Sequence, residues 1–331
     1  MTDYYPDINT ITTIETEEAF TEFCFSVFRY QYHQNPVYRR FCELLGKQPD
    51  NISGLHEIPF LPVELFKTHK VLSGKADAKL VFSSSGTTGQ TTSKHYVLDQ
   101  EVYDHSLNRC FEGIYGPIKN FCFLALLPSY LEREGSSLVY MVQKLMDQSG
   151  HAENGFYLYE HQKLAEAIKK LISIQQQTLL IGVSFALLDF SEKYPIPLPE
   201  NFIVMETGGM KGRGREMVRE ELHEILATRF KVPAIHSEYG MTELLSQAYS
   251  KGKGRFRTPT WMNVLVRDIN DPFRFLSPGK TGAINIIDLA NIHSCAFIAT
   301  QDLGRISNDN TFEVLGRYDN SDARGCNLMI T

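Results

Sequence analysis

Short apolar segments alternate with longer amphipathic segments between residues 79 and 255, and this alternation constrains the fold more than any other feature of the chain. The apolar segments include 121–127, 178–183, 202–205 and 233–236, and helical spacing of apolar residues marks 136–148, 162–175 and 213–230. Strands that alternate with helices of roughly ten or more residues form a largely parallel sheet covered on both faces. The sequence therefore predicts an α/β fold.

The two flanks of this region have different patterns. Residues 17–46 have helical spacing interrupted at Pro36, whereas residues 262–266, 282–288, 296–300 and 311–315 are short alternating segments separated by turn residues. We expect a helical N-terminal region at 1–78 packed on the core, the α/β core at 79–255, and a small antiparallel β subdomain with a C-terminal tail at 256–331. The sequence contains no Pro/Gly/Ser-rich linker between these parts.

The composition excludes several classes of function. The 331 residues are 43% hydrophobic and 22% charged, with a net charge of −6, which is ordinary for a globular protein and gives no basic surface for nucleic acid. The first residues lack a basic and then apolar leader, and the longest apolar run, 121–127, is too short to cross a bilayer. The six cysteines form no Cys-x-x-Cys pair that would indicate a zinc site. We expect a cytoplasmic protein without a transmembrane segment.

A segment rich in hydroxyls and glycines follows the first predicted strand of the core and ends at a lysine. Glycines allow backbone N–H groups to converge on an anion, and hydroxyl and ammonium groups add donors for phosphate oxygens. The segment also fits an ordinary flexible loop. Its candidate phosphate-binding residues are Ser83, Ser84, Ser85, Gly86, Thr87, Thr88, Gly89 and Lys94.

Two further motifs follow along the chain. The first is His236-Ser237-Glu238-Tyr239-Gly240-Met241-Thr242-Glu243, and the second is Thr300-Gln301-Asp302-Leu303-Gly304-Arg305, which Gly316-Arg317-Tyr318-Asp319 follows. An ionised carboxylate such as Glu243 is a suitable ligand for Mg²⁺, which prefers oxygen. Each motif alone also fits a turn or a loop. His236 would either orient a substrate carboxylate or be an ordinary strand-end histidine.

These three motifs, in this order, resemble those of the adenylate-forming superfamily, which includes acyl-CoA synthetases, adenylation domains and luciferases. The resemblance covers about residues 80–320 and implies a site for ATP and Mg²⁺. It implies phosphate binding by the hydroxyl-rich loop and Thr242, Mg²⁺ binding by Glu243, ribose binding by Asp302, and ribose or phosphate binding by Arg317. Tyr239 and Gly240 would contact adenine, and Gly208 with Gly209 would allow adenine or substrate to approach the backbone.

The C-terminal sequence Asp322-Ala323-Arg324-Gly325-Cys326 is similar to one branch of this superfamily, the acyl-protein synthetases. Members of that branch activate a fatty acid with ATP and carry the acyl group as a thioester, and Cys326 matches the position of the thiol. The cation of Arg324 would lower the pKa of such a thiol. Full-length superfamily members carry a C-terminal lid domain with a lysine, and we expect this chain to lack it.

The resemblance implies an enzyme that forms an acyl adenylate from a carboxylic acid, with a fatty acid as the expected substrate, and passes the acyl group through Cys326 to a partner protein such as a reductase or a carrier. Two alternatives stay open. One is an acyl-CoA ligase of the phenylacetate type. The other is a non-catalytic subunit that binds a nucleotide or an acyl group.

Overall fold

The computed structural model describes residues 8–84, 91–128, 135–208 and 217–318. Its helices are α1 (Ile8–Ile11), α2 (Glu17–Gln34), α3 (Pro36–Leu44), α4 (Leu65–Thr68), α5 (Gln100–Tyr115), α6 (Ser137–Ser149), α7 (His161–Ser173), α8 (Ser184–Lys193) and α9 (Arg219–Phe230). Its strands are β1 (Leu61–Pro62), β2 (Leu80–Ser83), β3 (Lys94–Val97), β4 (Cys122–Leu126), β5 (Gly155–Phe156), β6 (Thr178–Val183), β7 (Phe202–Thr207), β8 (His236–Tyr239), β9 (Ala248–Ser250), β10 (Phe256–Arg257), β11 (Met262–Arg267), β12 (Gly282–Asp288), β13 (Phe297–Ile306) and β14 (Phe312–Arg317).

The alternation of strands and helices predicted an α/β fold, and the fold class is confirmed. Strands β6 and β12 have the predicted bounds. The helical pattern at the N-terminus divides into α2 and α3 at Asn35, whose side chain caps α3 by accepting from the N–H groups of Val37 and Tyr38. Pro36 occupies the first position of α3, where its missing N–H costs nothing.

Two predicted boundaries were wrong, and some elements were missed. The strand predicted at 233–236 is β8, which begins only at His236, because Pro233 has no N–H to donate to a sheet. Helix α9 begins at Arg219, after an extended Val218, although helical spacing placed its start at 213. Helix α8 and strand β3 were not predicted.

The chain forms two compact units. The first comprises 1–106, 242–246 and 257–331, and the second comprises 107–241 and 247–256. Helix α5 and strand β10 contribute residues to both.

The second unit contains a sheet in the order β5-β4-β6-β7-β8-β9. Strands β5, β4, β6, β7 and β8 are parallel to one another, and β9 is antiparallel to β8. Its main core lies between the sheet and helices α7, α8 and α9, whose apolar faces are buried. Each large apolar side chain that is buried there stabilises the folded protein by about 1.5–3 kcal/mol. The core includes Leu124, Leu180, Val204, Leu164, Ile168, Leu187, Phe190, Leu226 and Phe230.

The first unit contains the antiparallel series β11-β12-β13-β14, and β1 pairs with β13 in parallel. Strands β2 and β3 form a separate antiparallel pair. Buried amides fix α2 to this unit: Gln31 Nε2 donates to the carbonyl oxygens of Asn291 and Ile292 at 2.9 Å, and Asn35 Nδ2 donates to that of Ser294 at 3.0 Å.

No helix within the described ranges combines the length and the apolar character that a membrane span requires.

Candidate functional site

Strands β2 and β3 hold the two ends of the hydroxyl-rich loop. Ser83 and Lys94 are paired residues, and the next pair inward closes the loop with two hydrogen bonds. The Ser84 N–H donates to the carbonyl oxygen of Ser93 at 3.1 Å, and the Ser93 N–H donates to the Ser84 hydroxyl at 2.9 Å. The two ends of the loop therefore lie side by side. Its candidate residues Ser85, Gly86, Thr87, Thr88 and Gly89 lie outside the described ranges.

A cluster of charged and polar side chains forms in the first unit. Asp302 on β13 faces Arg317 on β14, and Arg317 Nε donates to Asp302 Oδ1 at 3.0 Å. The buried carboxylate of Glu243 accepts from the Ser93 side chain. Burial raises the pKa of Glu243 and Asp302 raises it further, whereas Ser93 and Arg317 act to lower it. The structure thus brings together three residues predicted from the motifs, and adds Ser93; we call these four residues the carboxylate cluster.

The carboxylate cluster has the donor set that a magnesium nucleotide needs. In proteins Mg²⁺ takes one or two carboxylates and completes its coordination with waters and phosphate oxygens. Among the described residues, no group of three or more His, Cys, Asp or Glu side chains is placed to hold a metal ion by itself. One buried carboxylate, Glu243, beside the end of a loop rich in hydroxyls fits an ion that arrives with a triphosphate.

Two side chains fix the backbone that carries Thr242 and Glu243. His95, on β3, is fully buried, and its Nδ1 donates to the carbonyl oxygen of Thr242 at 2.8 Å. Its Nε2 lies 3.0 Å from Asn291 Oδ1. The Asn291 amide nitrogen donates to the carbonyl oxygens of Glu243 at 2.7 Å and Cys295 at 2.9 Å. Burial lowers the pKa of His95, the hydrogen bonds to Thr242 and Asn291 act to raise it, and the resulting pKa is about 4.

A third side chain holds the same segment from its other end. Asp288, at the end of β12, is fully buried and accepts hydrogen bonds from the N–H groups of Leu245 at 2.8 Å and Ser246 at 3.0 Å. It also accepts from the Ser246 hydroxyl at 2.6 Å and the Ala290 N–H at 3.2 Å. Trp261 Nε1 donates to the same Ser246 hydroxyl at 2.9 Å.

The motifs did not identify His95, Asn291 or Asp288. A signal for His95 was available, because it follows Lys94 directly at the end of the hydroxyl-rich segment. Asp288 ends a run of apolar residues in β12, which indicates a polar group at the end of a buried strand. Their partners are distant in sequence, and no local pattern reveals them.

Tyr239 and Gly240 lie at the carboxyl end of β8, in the second unit. Ligands of parallel α/β sheets bind at this end of the strands. The Tyr239 ring lies 5.9 Å from the ring of Phe256, and its hydroxyl lies 3.6 Å from Met241 Sδ. Tyr239 is only 8% exposed, so little of the residue is accessible in this structure.

His236 lies at the opposite end of β8 and has a structural partner. Its Nδ1 lies 3.1 Å from the Tyr115 hydroxyl, and burial together with Lys251 and His223 lowers its pKa to about 4. This hydrogen bond fits the interpretation of His236 as an ordinary strand-end histidine.

Gly208 follows β7 with a φ of +69°, a conformation that favours glycine. Its carbonyl oxygen accepts from the Ser184 hydroxyl at 3.2 Å. Gly209 and Cys326 lie outside the described ranges.

Comparison with known proteins decides the family. The family model for acyl-protein synthetase, LuxE, matches residues 10–331. The chain belongs to the acyl-protein synthetase (LuxE) family. It is therefore an enzyme of the ligase class.

Two relatives of this LuxE-family chain are long-chain-fatty-acid–luciferin-component ligases. The protein of Vibrio harveyi is 20% identical over 332 residues, which cover 92% of this chain and 85% of the relative. The protein of Aliivibrio fischeri is 21% identical over 352 residues, which cover 96% and 89%. The similarity extends over most of both proteins.

Solved structures of adenylate-forming ligases share the fold. The 2-hydroxyisobutyryl-CoA ligase in complex with 2-HIB-AMP and CoA, in its thioesterification state, has a TM-score of 0.67 at 14% identity, covering 97% of this chain and 74% of that one. ATP-bound MatB from Rhodopseudomonas palustris has a TM-score of 0.55 at 15% identity, covering 73% and 49%. The LuxE-family chain thus has the adenylate-forming fold.

Proposed function

We propose that this enzyme activates a carboxylic acid of the fatty-acid class with ATP. An oxygen of the substrate carboxylate attacks the α-phosphorus of ATP, the bond to pyrophosphate breaks, and an acyl adenylate forms. The fatty-acid class comes from the names of the ligases of Vibrio harveyi and Aliivibrio fischeri, which are only distantly similar.

The carboxylate cluster is the observation that carries this proposal. It places a buried Glu243, the Asp302–Arg317 pair and the closed end of the hydroxyl-rich loop within one unit. In the proposed site the loop residues and Lys94 hold the phosphates and Thr242 binds the α-phosphate. Asp302 accepts the ribose hydroxyls, because an ionised carboxylate has two acceptor oxygens. Arg317 orients Asp302 and adds positive charge.

Glu243 would hold the Mg²⁺ that accompanies the nucleotide. Bound there, the ion supplies positive charge against the phosphate oxygens. The ion would also favour the ionised form of Glu243, which burial disfavours in its absence. His95 and Asn291 keep the backbone of the metal-binding residue fixed.

The second proposed step is transfer to Cys326. The thiolate attacks the acyl carbon, the bond between that carbon and the oxygen of AMP breaks, and a thioester remains on the enzyme while the thiol proton passes to solvent. A partner protein, a reductase or a carrier, would then accept the acyl group. The family description, acyl-protein synthetase, supports a protein acceptor.

Incubation of the protein with radiolabelled acid and ATP·Mg²⁺ tests both steps. We expect label that survives denaturation, is released by neutral hydroxylamine, and is absent from Cys326→Ser. Cys295→Ser is the matched control, because Cys295 is fully buried and burial raises the pKa of its thiol.

Two outcomes would contradict the proposal. Persistent labelling of Cys326→Ser would remove the role of that cysteine. A requirement for free coenzyme A, with acyl-CoA as the product and no effect of Cys326→Ser, would show an acyl-CoA ligase instead.

A further inference from the structure

Two polar side chains lie at the carboxyl ends of neighbouring parallel strands in the second unit. Thr207 on β7 and Glu238 on β8 are paired in register. The Thr207 hydroxyl donates to Glu238 Oε2 at 2.5 Å, and both residues are buried. Since ligands of parallel sheets bind at the carboxyl ends of the strands, this pair lies where a substrate would be recognised.

Gly240 makes room for the carboxyl group of Glu238. A β-carbon placed on Gly240 would lie 2.5 Å from Glu238 Oε1, closer than real β-carbons approach other atoms. The same position is 3.7 Å from Cγ of Gln247. The side chains of Glu238 and Gln247 therefore both lie next to Gly240, directly after the β8 strand.

Gln247 supplies the second, independent observation. The residue is 4% exposed, and its Oε1 atom has no hydrogen-bond partner among the residues that the structure describes. Its backbone N–H lies 3.5 Å from Cys110 Sγ, so the backbone is engaged while the side-chain acceptor is not. A buried acceptor without a donor is destabilising, and a bound group that supplies the donor would remove that cost.

The protonation of Glu238 determines which group would fit beside it. Burial raises the pKa of Glu238, the Thr207 hydrogen bond lowers it, the negative charge of Glu206 raises it, and the resulting pKa is about 7. Arg219 Nε lies 3.3 Å from Glu206 Oε1, and His223 Nε2 lies 3.6 Å from the same oxygen. Because Thr207 donates to Oε2, the proton of the neutral acid resides on Oε1, which then becomes a donor.

A hydroxyl group satisfies this pair of side chains, because it both accepts and donates a hydrogen bond. It would accept from Glu238 Oε1–H and donate to Gln247 Oε1. An unsubstituted alkyl chain would leave Gln247 Oε1 without a donor, whereas an ammonium group has no acceptor for the Glu238 proton.

We propose that Glu238 and Gln247 form a recognition site for a hydroxyl group on the acyl chain of the substrate. The proposal rests on the proposed function, since it names the class of acid that the enzyme activates: a hydroxylated fatty acid. Both residues act by binding the substrate and take no part in bond making.

The test measures acid-dependent exchange between ATP and labelled pyrophosphate with straight-chain acids of one length. The acids are unsubstituted, or carry a hydroxyl or an amino group on the second, third or fourth carbon. We expect one hydroxy acid to have a kcat/KM at least about tenfold above that of the unsubstituted acid, because a site built for a hydroxyl discriminates strongly against its absence.

Gln247→Leu should lower the ratio of kcat/KM between the hydroxy acid and the unsubstituted acid by at least about tenfold. A folding defect would lower both values and leave the ratio unchanged. Glu224→Gln, an exposed substitution on α9, should leave both values unchanged.

Equal exchange with hydroxylated and unsubstituted acids in the wild type would overturn this proposal and leave the proposed function intact. A higher exchange rate with the amino-substituted acids than with the hydroxylated ones would overturn it as well. An unchanged ratio in Gln247→Leu would remove the role of Gln247. Exchange with none of the acids would instead contradict the proposed function itself, and this inference with it.

Discussion

The side chain of His95 connects the hydroxyl-rich segment to the backbone of Thr242. Its ring donates from Nδ1 to the Thr242 carbonyl oxygen, and Nε2 faces the side-chain oxygen of Asn291. The Asn291 amide nitrogen is already used by two carbonyl groups, so its oxygen has to face the ring. His95 therefore positions Glu243 indirectly, through the backbone of Thr242, and we regard it as a positioning residue.

Replacement of His95 by Phe should lower kcat for acid-dependent pyrophosphate exchange by roughly 10–100-fold, because small displacements of catalytic groups have large effects. KM for ATP should change much less. Gln, which can still donate to Thr242, should recover part of the rate. The exposed His33→Gln is the control. If His95→Phe and His95→Gln changed kcat and KM equally, His95 would only stabilise the fold.

The carboxyl group of Glu238 should make stability depend on pH. Its folded pKa is raised from 4.5 to about 7, so the folded protein binds more protons than the unfolded chain between these values. Its contribution is therefore present at low pH and is lost as the pH rises through about 7. From pH 5 to pH 8 the cost amounts to about 2 kcal/mol.

Glu238→Gln removes this ionisation, so the variant should gain about 2 kcal/mol relative to the wild type between pH 5 and pH 8. Thermal unfolding of both proteins at the two pH values measures the difference. The same difference in the exposed Glu224→Gln, or none in Glu238→Gln, would contradict a buried neutral carboxyl group at this position.

At the scale of elements, segment 242–246 is held by groups from two strands. Asp288, at the end of β12, binds its last residues, whereas His95, on β3, binds its first. The segment has no regular secondary structure of its own, so these contacts determine the position of Glu243.

Asp288→Ala would leave the N–H groups of Leu245 and Ser246 buried without an acceptor. We expect a loss of roughly 3 kcal/mol in the free energy of unfolding and a parallel loss of exchange activity. Urea unfolding measures the loss. Asp288→Asn, which keeps one acceptor oxygen, should lose less, and exposed Asp50→Ala should lose nothing measurable; similar stability of all three variants would show that Asp288 does not hold the segment.

The elements that the sequence predicted correctly are those with a local signal. Strand β6 is a run of buried apolar residues, and helices α2 and α7 have regular apolar spacing, so both kinds of element could be read from the residues alone. Strand β3 is short and polar, and its pairing with β2 depends on a loop closure that no periodicity reveals. The start of β8 was misplaced because the apolar residues before His236 are not paired.

At the scale of the whole molecule, the order of the motifs predicted the family, and the family model confirms it. The sequence predicted Glu243, Asp302 and Arg317 as candidates because they lie in the motifs that resemble those of the adenylate-forming superfamily. It could not name His95, Asn291 or Gln247, because their roles depend on partners brought close by folding. The family and the motif residues were thus predicted from the sequence, whereas the residues that contact distant parts of the chain were found only in the structure.

Acid-dependent exchange between ATP and labelled pyrophosphate in Glu243→Gln tests the central claim most directly. If the carboxylate cluster holds the magnesium nucleotide, the exchange rate should fall at least about 100-fold, since removal of a group that stabilises charge in a transition state has an effect of this size. Glu224→Gln should exchange at the wild-type rate. Exchange by Glu243→Gln at the rate of the wild type would contradict the assignment of the nucleotide site to the carboxylate cluster.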